Sequence, residues 1–397
     1  MIRLVKSFIG RKNVIYGLSL IAIIAVAISI SLIWFIHDGV NYQEKYNLSL
    51  SSFHHGQNLF LLGSNDNPMP LYIIILHAFN GLIGHVSLYG DRLLSLAALV
   101  ILTIVVFFIG KLATGRAYTG LIAAAMISFS PFMLWYANRA TAYSLLTLVV
   151  ALNQLFFIAI YKHKKWAHIG FLLSCLIGLS LHFFFLAIII PELIFMLFKL
   201  KDLTGLERIS LLSILLISLG FFGWFLFASS HSTVTLWQHL PYTSKPSATN
   251  TFIIYVQYLF GFQSVVLTTV VISLWPLLVI LALLAVQKYV RPPQAVLYLF
   301  FTAVFPIIAL FAFSWLYKPL FLSSYLIVCL PSFFLFLAWY LTSYKLKIIT
   351  LTRYALITSM LAMTFMELSD WRIALSQDYL GITNHSYRYI ADNSTYN

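Results

Sequence analysis

Charge is what this sequence has least of. Only 9% of its 397 residues are Asp, Glu, Lys or Arg, where a soluble protein carries about 25%. Cysteine is nearly absent too. Cys175 and Cys329 both sit inside apolar runs, which excludes a disulfide framework and a cysteine metal site. There is no alternation of apolar and polar residues, which excludes a β-barrel, and no internal repeat, which leaves an inverted-repeat transporter without support. No basic face interleaved with stacking aromatics is present either. The net charge of +13 therefore does not indicate nucleic acid. The basic residues fall in short loops, where they follow the positive-inside rule.

What is there is hydrocarbon. The chain is 61% hydrophobic, with recurring apolar runs of about 20 residues, the length that crosses a bilayer as a helix. The expected fold is all-α and polytopic. Arg3, Lys6, Arg11 and Lys12 precede the first run, Val14 to Ile36, and place the N-terminus in the cytoplasm. That run is too long for a signal h-region and has no small-residue cleavage site after it, so it reads as a signal anchor.

Leu71 to Ile83 is too short to span, and His77, Asn80, Gly81, Gly84 and His85 share one of its faces. It reads as a juxtamembrane helix at the interface. Charge parity agrees, because Leu93 to Ile109 must start outside to end at Lys111 and Arg116. Further spans are expected at Tyr118–Tyr136, Ala142–Tyr161, Trp166–Leu181, Phe183–Phe198, Ile209–Phe227, Val265–Val286, Ala295–Leu316 and Leu320–Leu341, with a last one ending near Glu367. The total is about eleven. A transmembrane domain over residues 1–368 then carries outer loops at 37–92 and 229–263, each with an interfacial helix, and a short extracytoplasmic tail at 369–397.

The longest polar interval, His37 to Arg92, holds Asp38, Glu44, His54, His55, Asp66, Asn67, His77, Asp91 and Arg92. Ionisable groups gathered beside a bilayer mark a site. Asn47, Asn384 and Asn393 begin Asn-x-Ser/Thr triplets, a pattern that chance readily produces in this composition.

Several stretches, in order, resemble the GT-C superfamily of membrane glycosyltransferases, in particular the bacterial relatives of protein O-mannosyltransferase and the lipid A aminoarabinose transferase. They are Asn67-Pro68-Met69-Pro70-Leu71-Tyr72, Leu76-His77, Asp91-Arg92-Leu93, Ser130-Pro131-Phe132-Met133-Leu134-Trp135-Tyr136, Tyr143-Ser144-Leu145-Leu146, Leu181-His182-Phe183, Tyr325-Leu326 and Leu330-Pro331. The resemblance implies a polyprenyl-phosphate-linked sugar donor and transfer on the outer face to a lipid, glycan or protein hydroxyl. It puts the acid of the first outer loop at Asp38. The family's second acid is replaced by Gly39, the His of its His-Pro-Pro motif by Pro68, and the acid of its outer turn by Arg139.

Transfer from a sugar phosphate needs a base for the acceptor hydroxyl and cations for the departing phosphate. Asp38, partly desolvated at the end of the first span, is the expected base, with Asp66 as a second candidate. Arg92, Arg139 and Lys318 are the phosphate candidates, since guanidinium binds phosphate bidentately. Arg92 could equally anchor the helix by pairing with Asp91. Asn67, His54, His55, Tyr143, His182 and Tyr325 complete the expected substrate contacts. No metal or other cofactor is expected, because adjacent histidines do not share a helix face and no carboxylate completes a ligand set. The expected partners are the donor, its acceptor and membrane lipids, and the expected location is the plasma (inner) membrane, with an extracytoplasmic C-terminus. Two alternatives remain. One is an inactive relative that binds polyprenyl-phosphate lipid or scaffolds envelope assembly. The other is a lipid or small-molecule transporter, for which Glu192, inside an apolar run, is the one suitably placed acid.

Overall fold

The computed structural model describes residues 11–37, 42–51, 71–83, 88–198, 203–231, 245–262, 290–344 and 347–376. Every regular element among them is helical. Seven helices are long and apolar enough to cross a membrane, or eight if one bent pair counts as a single span. Two of the eleven expected spans appear as shorter apolar helices, and a third, Val265–Val286, lies outside the described residues. The fold class stands, and the count of eleven is not established.

Helix α1 (Arg11–His37) turns Val14, Leu18 and Ile21 outward, as a lipid-facing helix should. Two short helices follow, α2 (Tyr42–Ser51) and α3 (Leu71–Ile83). The polar stripe of α3 does not face water. His77 Nδ1 lies 2.9 Å from the Ser51 carbonyl, and the Asn80 amide donates to Ser51 Oγ at 3.4 Å. Two members of the stripe, His77 and Asn80, therefore dock α3 on α2, while Gly81 is exposed and Gly84 and His85 lie outside the described residues.

The centre of the bundle is α4 (Leu88–Thr114), packed against α5 (Ala117–Ser128) and α7 (Ala142–Tyr161). Gly115, at φ 73°, makes the tight turn between α4 and α5, a conformation only glycine adopts freely. The two backbones then cross closely, because a Cβ on Gly110 would fall 2.5 Å from Gly120 Cα. Small residues permit such contact where helices must pack without a hydrophobic drive.

Pro131 sets the geometry of the site. It lacks the N–H that would continue α5, so the chain bends by 63° into α6 (Pro131–Ala137). Ser130 caps the new helix by accepting from the Met133 N–H at 3.2 Å and donates to the Tyr258 carbonyl at 2.6 Å. Thr364 Oγ1 donates to the Phe129 carbonyl at 3.3 Å, serving a group that the break releases.

Helix α8 (Ala167–Leu181) ends at an extended His182, whose ring caps a 3-10 turn at Phe183–Phe185 before α9 (Leu186–Leu197). The remaining helices are α10 (Gly205–His231), α11 (Ala248–Phe260), α12 (Gln294–Leu316), α13 (Leu330–Ser343) and α14 (Lys347–Ser376). A 3-10 turn, Tyr325–Cys329, leads into α13. Both cysteines are free and buried.

Candidate functional site

The site is built where α2, the start of α4 and the 138–141 turn meet. Glu44 lies in the first turn of α2 and Arg92 in the first turn of α4. Arg92 Nε donates to Glu44 Oε1 at 2.9 Å and Nη2 to Oε2 at 3.0 Å. Both side chains are 0% exposed. The Ala140 N–H donates to the same Oε1 at 2.9 Å. Burial alone would raise this carboxyl's pKa, but the hydrogen bonds from Arg92 and Ala140, with the charges of Arg92 and Arg139, hold it below the ordinary carboxylate range.

Three further bonds fix the turn. The Asn47 amide donates to the Ala140 carbonyl at 2.8 Å, Ser95 Oγ to the Arg139 carbonyl at 2.7 Å, and Ser144 Oγ to the Ser95 carbonyl at 2.8 Å. Asn47 is thereby a buried structural amide, whatever its triplet suggested. Next to Arg92, Asp91 is fully buried; no partner lies within ordinary hydrogen-bond distance of its oxygens among the described residues, and the nearby Asn80 side chain partly offsets its burial.

The turn aims Arg139 back over α6. Its guanidinium carbon lies over the Trp135 ring, 3.8 Å from the centroid, and the residue is 1% exposed. From the adjacent Tyr136 an aromatic chain runs through Tyr143 (5.0 Å), His182 (5.8 Å from Tyr143) and Tyr325 (5.5 Å from His182). Phe184 stacks on Tyr325 at 4.4 Å. His182 Nδ1 accepts from the Phe184 N–H at 3.2 Å, so that nitrogen carries no proton. Burial lowers this imidazole to about 4, leaving it neutral at physiological pH.

Five of the expected site residues thus form one connected group: Arg92, Arg139, Tyr143, His182 and Tyr325. Lys318 stands on a separate turn after α12, which the Leu320 N–H fixes by donating to Ser314 Oγ at 3.2 Å. Partial burial lowers the pKa of its ammonium. Asp38, His54, His55, Asp66 and Asn67 lie outside the described residues. Among the described residues no group of three or more His, Cys, Asp or Glu is arranged to hold a metal ion. Glu192, the interior acid, is buried and accepts from the Tyr298 hydroxyl at 2.8 Å.

Sequence reasoning passed over Glu44 in favour of the acid nearest the span. A usable signal was present, since a short Tyr42–Ser51 segment with an acid in its first turn can return that acid to the membrane boundary. Arg92 takes Glu44 as its partner, where the sequence had offered the neighbouring Asp91.

A polytopic helical membrane domain, with short helices folded over one end and a buried cationic and aromatic network beneath them, is the class that fold and site define. Comparison with solved structures makes the fold more specific. The chain is similar to ArnT from Cupriavidus metallidurans bound to undecaprenyl phosphate, with a TM-score of 0.56 and 14% identity over 82% of this chain. It is similar to the apo state of the same protein, with a TM-score of 0.54 and 13% identity over 84% of this chain. The fold is GT-C-like. The aligned region spans 60% and 61% of the ArnT chains. No family model matches the sequence, and no curated protein matches it.

Proposed function

We propose that the chain is a membrane glycosyltransferase that moves a sugar from a polyprenyl-phosphate-linked donor to a hydroxyl of a lipid, glycan or protein. One observation carries this reading. In a fold shared with a protein that binds undecaprenyl phosphate, two arginines and a shelf of aromatic rings form one network at a single end of the bundle. In the reaction, the acceptor oxygen bonds to the sugar's anomeric carbon as the bond from that carbon to the phosphate oxygen breaks. The acceptor proton passes to Asp38, and polyprenyl phosphate leaves. Arg139, with Lys318, meets the phosphate charge. Arg92 positions, because it holds Glu44, which in turn holds the turn bearing Arg139. Tyr143 and Tyr325 offer aromatic faces to the sugar ring. Asp66, Asn67, His54 and His55 supply polar contacts from the first loop. The enzyme lies in the plasma (inner) membrane, with this end extracytoplasmic and the N-terminus in the cytoplasm.

A second reading has an observation of its own. Glu44 and Asp91 are both fully buried, and Arg92 is already engaged, as in a relative that binds the lipid without transferring sugar. Purified protein in nanodiscs, given a labelled polyprenyl-phosphate sugar and candidate acceptors, separates the two. An enzyme transfers label, and Asp38→Asn stops transfer while donor binding persists. Retained binding of polyprenyl phosphate with no transfer from any donor establishes the second reading. Failure of both binding and transfer rejects both.

A further inference from the structure

The end of the bundle opposite this network carries a cavity of about 270 Å³. Contacts from the turn after α7 to α4 and α10 lie at that end. Lys162 Nζ donates to the Leu112 carbonyl, and His163 Nδ1 lies 2.9 Å from Glu207 Oε1. The cavity walls are mostly apolar, formed by Phe157 and Ile160 on α7, Phe195 and Met196 on α9, and Leu203, while Tyr161, His163 and Glu207 bring its polar atoms. The floor is firm, because the Phe157 ring packs on Tyr298 at 4.4 Å and Phe195 packs on Tyr298 at 5.7 Å.

Among the described residues, the charged neighbours in sequence of the cavity-lining residues His163 and Glu207 are basic. Glu207 is its only acid, and that carboxylate is already occupied by His163 and by the Thr204 N–H at 2.7 Å. Lys164 and Lys165 follow His163, and Arg208 follows Glu207; all three are exposed. His163 itself is 70% exposed at the side chain and sits at φ 57°. An apolar slot whose polar lining residues are followed in sequence by exposed cations, at the end of a membrane bundle, matches one kind of occupant on both counts. Its hydrocarbon suits the walls, and its phosphate suits the rim.

We propose that this cavity is a phospholipid site, in which the acyl chain of an anionic phospholipid lies between α7 and α9 and its phosphate is met by Lys164, Lys165 and Arg208. The site is separate from the donor-binding network and does not depend on the transferase reading. A lipid held there ties α7 and α9 to the start of α10 in the leaflet on that side.

The test uses the full chain in vesicles of equal parts phosphatidylglycerol and phosphatidylcholine. Each lipid in turn carries a photoreactive group on one acyl chain, and labelled peptides are mapped. The phosphatidylglycerol probe should mark residues around 157–161 and 195–196 well above the phosphatidylcholine probe. Met196→Trp, which fills the slot, should remove labelling of both segments. Lys164→Gln, Lys165→Gln and Arg208→Gln lie on the surface and leave packing intact. Each should lower the preference for phosphatidylglycerol roughly fivefold, the worth of one basic side chain beside an anionic headgroup. Equal labelling by the two probes, or labelling that survives both Met196→Trp and the charge substitutions, overturns the proposal. Loss of labelling on adding inorganic phosphate alone also overturns it, in favour of a simple anion site.

Discussion

Arg92 grips Glu44 through two parallel hydrogen bonds of 2.9 and 3.0 Å, and neither side chain reaches the surface. Removing one partner strands the other charge in a dry interior, at a cost of about 3–5 kcal/mol. Glu44→Ala and Arg92→Ala should therefore each lower the thermal midpoint sharply in detergent. The double variant Glu44→Leu, Arg92→Met should recover most of that loss. The pair also sets an acid limit. Its folded pKa lies below the unfolded value of 4.5, so its contribution is complete above that value and fades as pH falls through the folded pKa. The midpoint of Arg92→Ala should then lose the acid-side slope seen in the unmutated protein.

The stack of Arg139 on Trp135 supports a second prediction. Lysine keeps the charge but not the plane or the fork. Arg139→Lys should leave the fold intact and weaken polyprenyl phosphate binding about tenfold, a loss of roughly 1.4 kcal/mol. Trp135→Leu removes the ring face and should produce a similar loss, since a desolvated cation–π contact is worth up to about 2 kcal/mol. Titration of nanodisc-embedded protein with the phosphate lipid reads both.

His182 predicts a pH effect of opposite origin. Its folded pKa of about 4 lies below the unfolded 6.5. Between those values the unfolded chain binds the extra proton, so stability falls as the medium is acidified from 6.5 toward 4. His182→Phe keeps an aromatic ring among Tyr143, Phe184 and Tyr325 and cannot be protonated. Its melting temperature should be flatter across that window than that of the unmutated protein.

Asp91 is a buried carboxyl without a partner at ordinary hydrogen-bond distance among the described residues, though the Asn80 side chain partly offsets its burial. Asp91→Asn removes the charge at nearly constant volume and should stabilise the protein by about 1 kcal/mol, part of the usual cost of leaving such a group unsatisfied. A lower melting temperature in that variant would show that the acid is served in the folded protein.

Much of this architecture was legible from apolar run length and loop charge alone. Leu71–Ile83 emerges as a helix with the expected bounds, and its polar face was readable from His77 and Asn80. The docking of that face on Ser51 was not, because an amphipathic period identifies a side but not what covers it. Of the five gathered site residues, Arg92 and Arg139 came from their place as outer-side cations for a phosphate, Tyr143, His182 and Tyr325 from stretches that carry the resemblance, and none from periodicity. Tyr143, His182 and Tyr325 are far apart in sequence, and only the helix breaks at Pro131 and His182 bring them together. Glu44 was missed although its place in a short helix hinted at a return to the membrane boundary, because its partners Arg92 and Ala140 lie too far along the chain for a local pattern to name them.

The Glu44 clamp also imposes an order of assembly. Its carboxylate is completed by a guanidinium 48 residues later and an amide 96 residues later. During synthesis from the N-terminus, α2 emerges with an acid whose partners have not yet been made. It cannot lock until α4, α5 and α6 have been inserted and the 138–141 turn has formed. Helix α2 is thus translated before α4 and the 138–141 turn and, by its own hydrogen bonds, settles only after them.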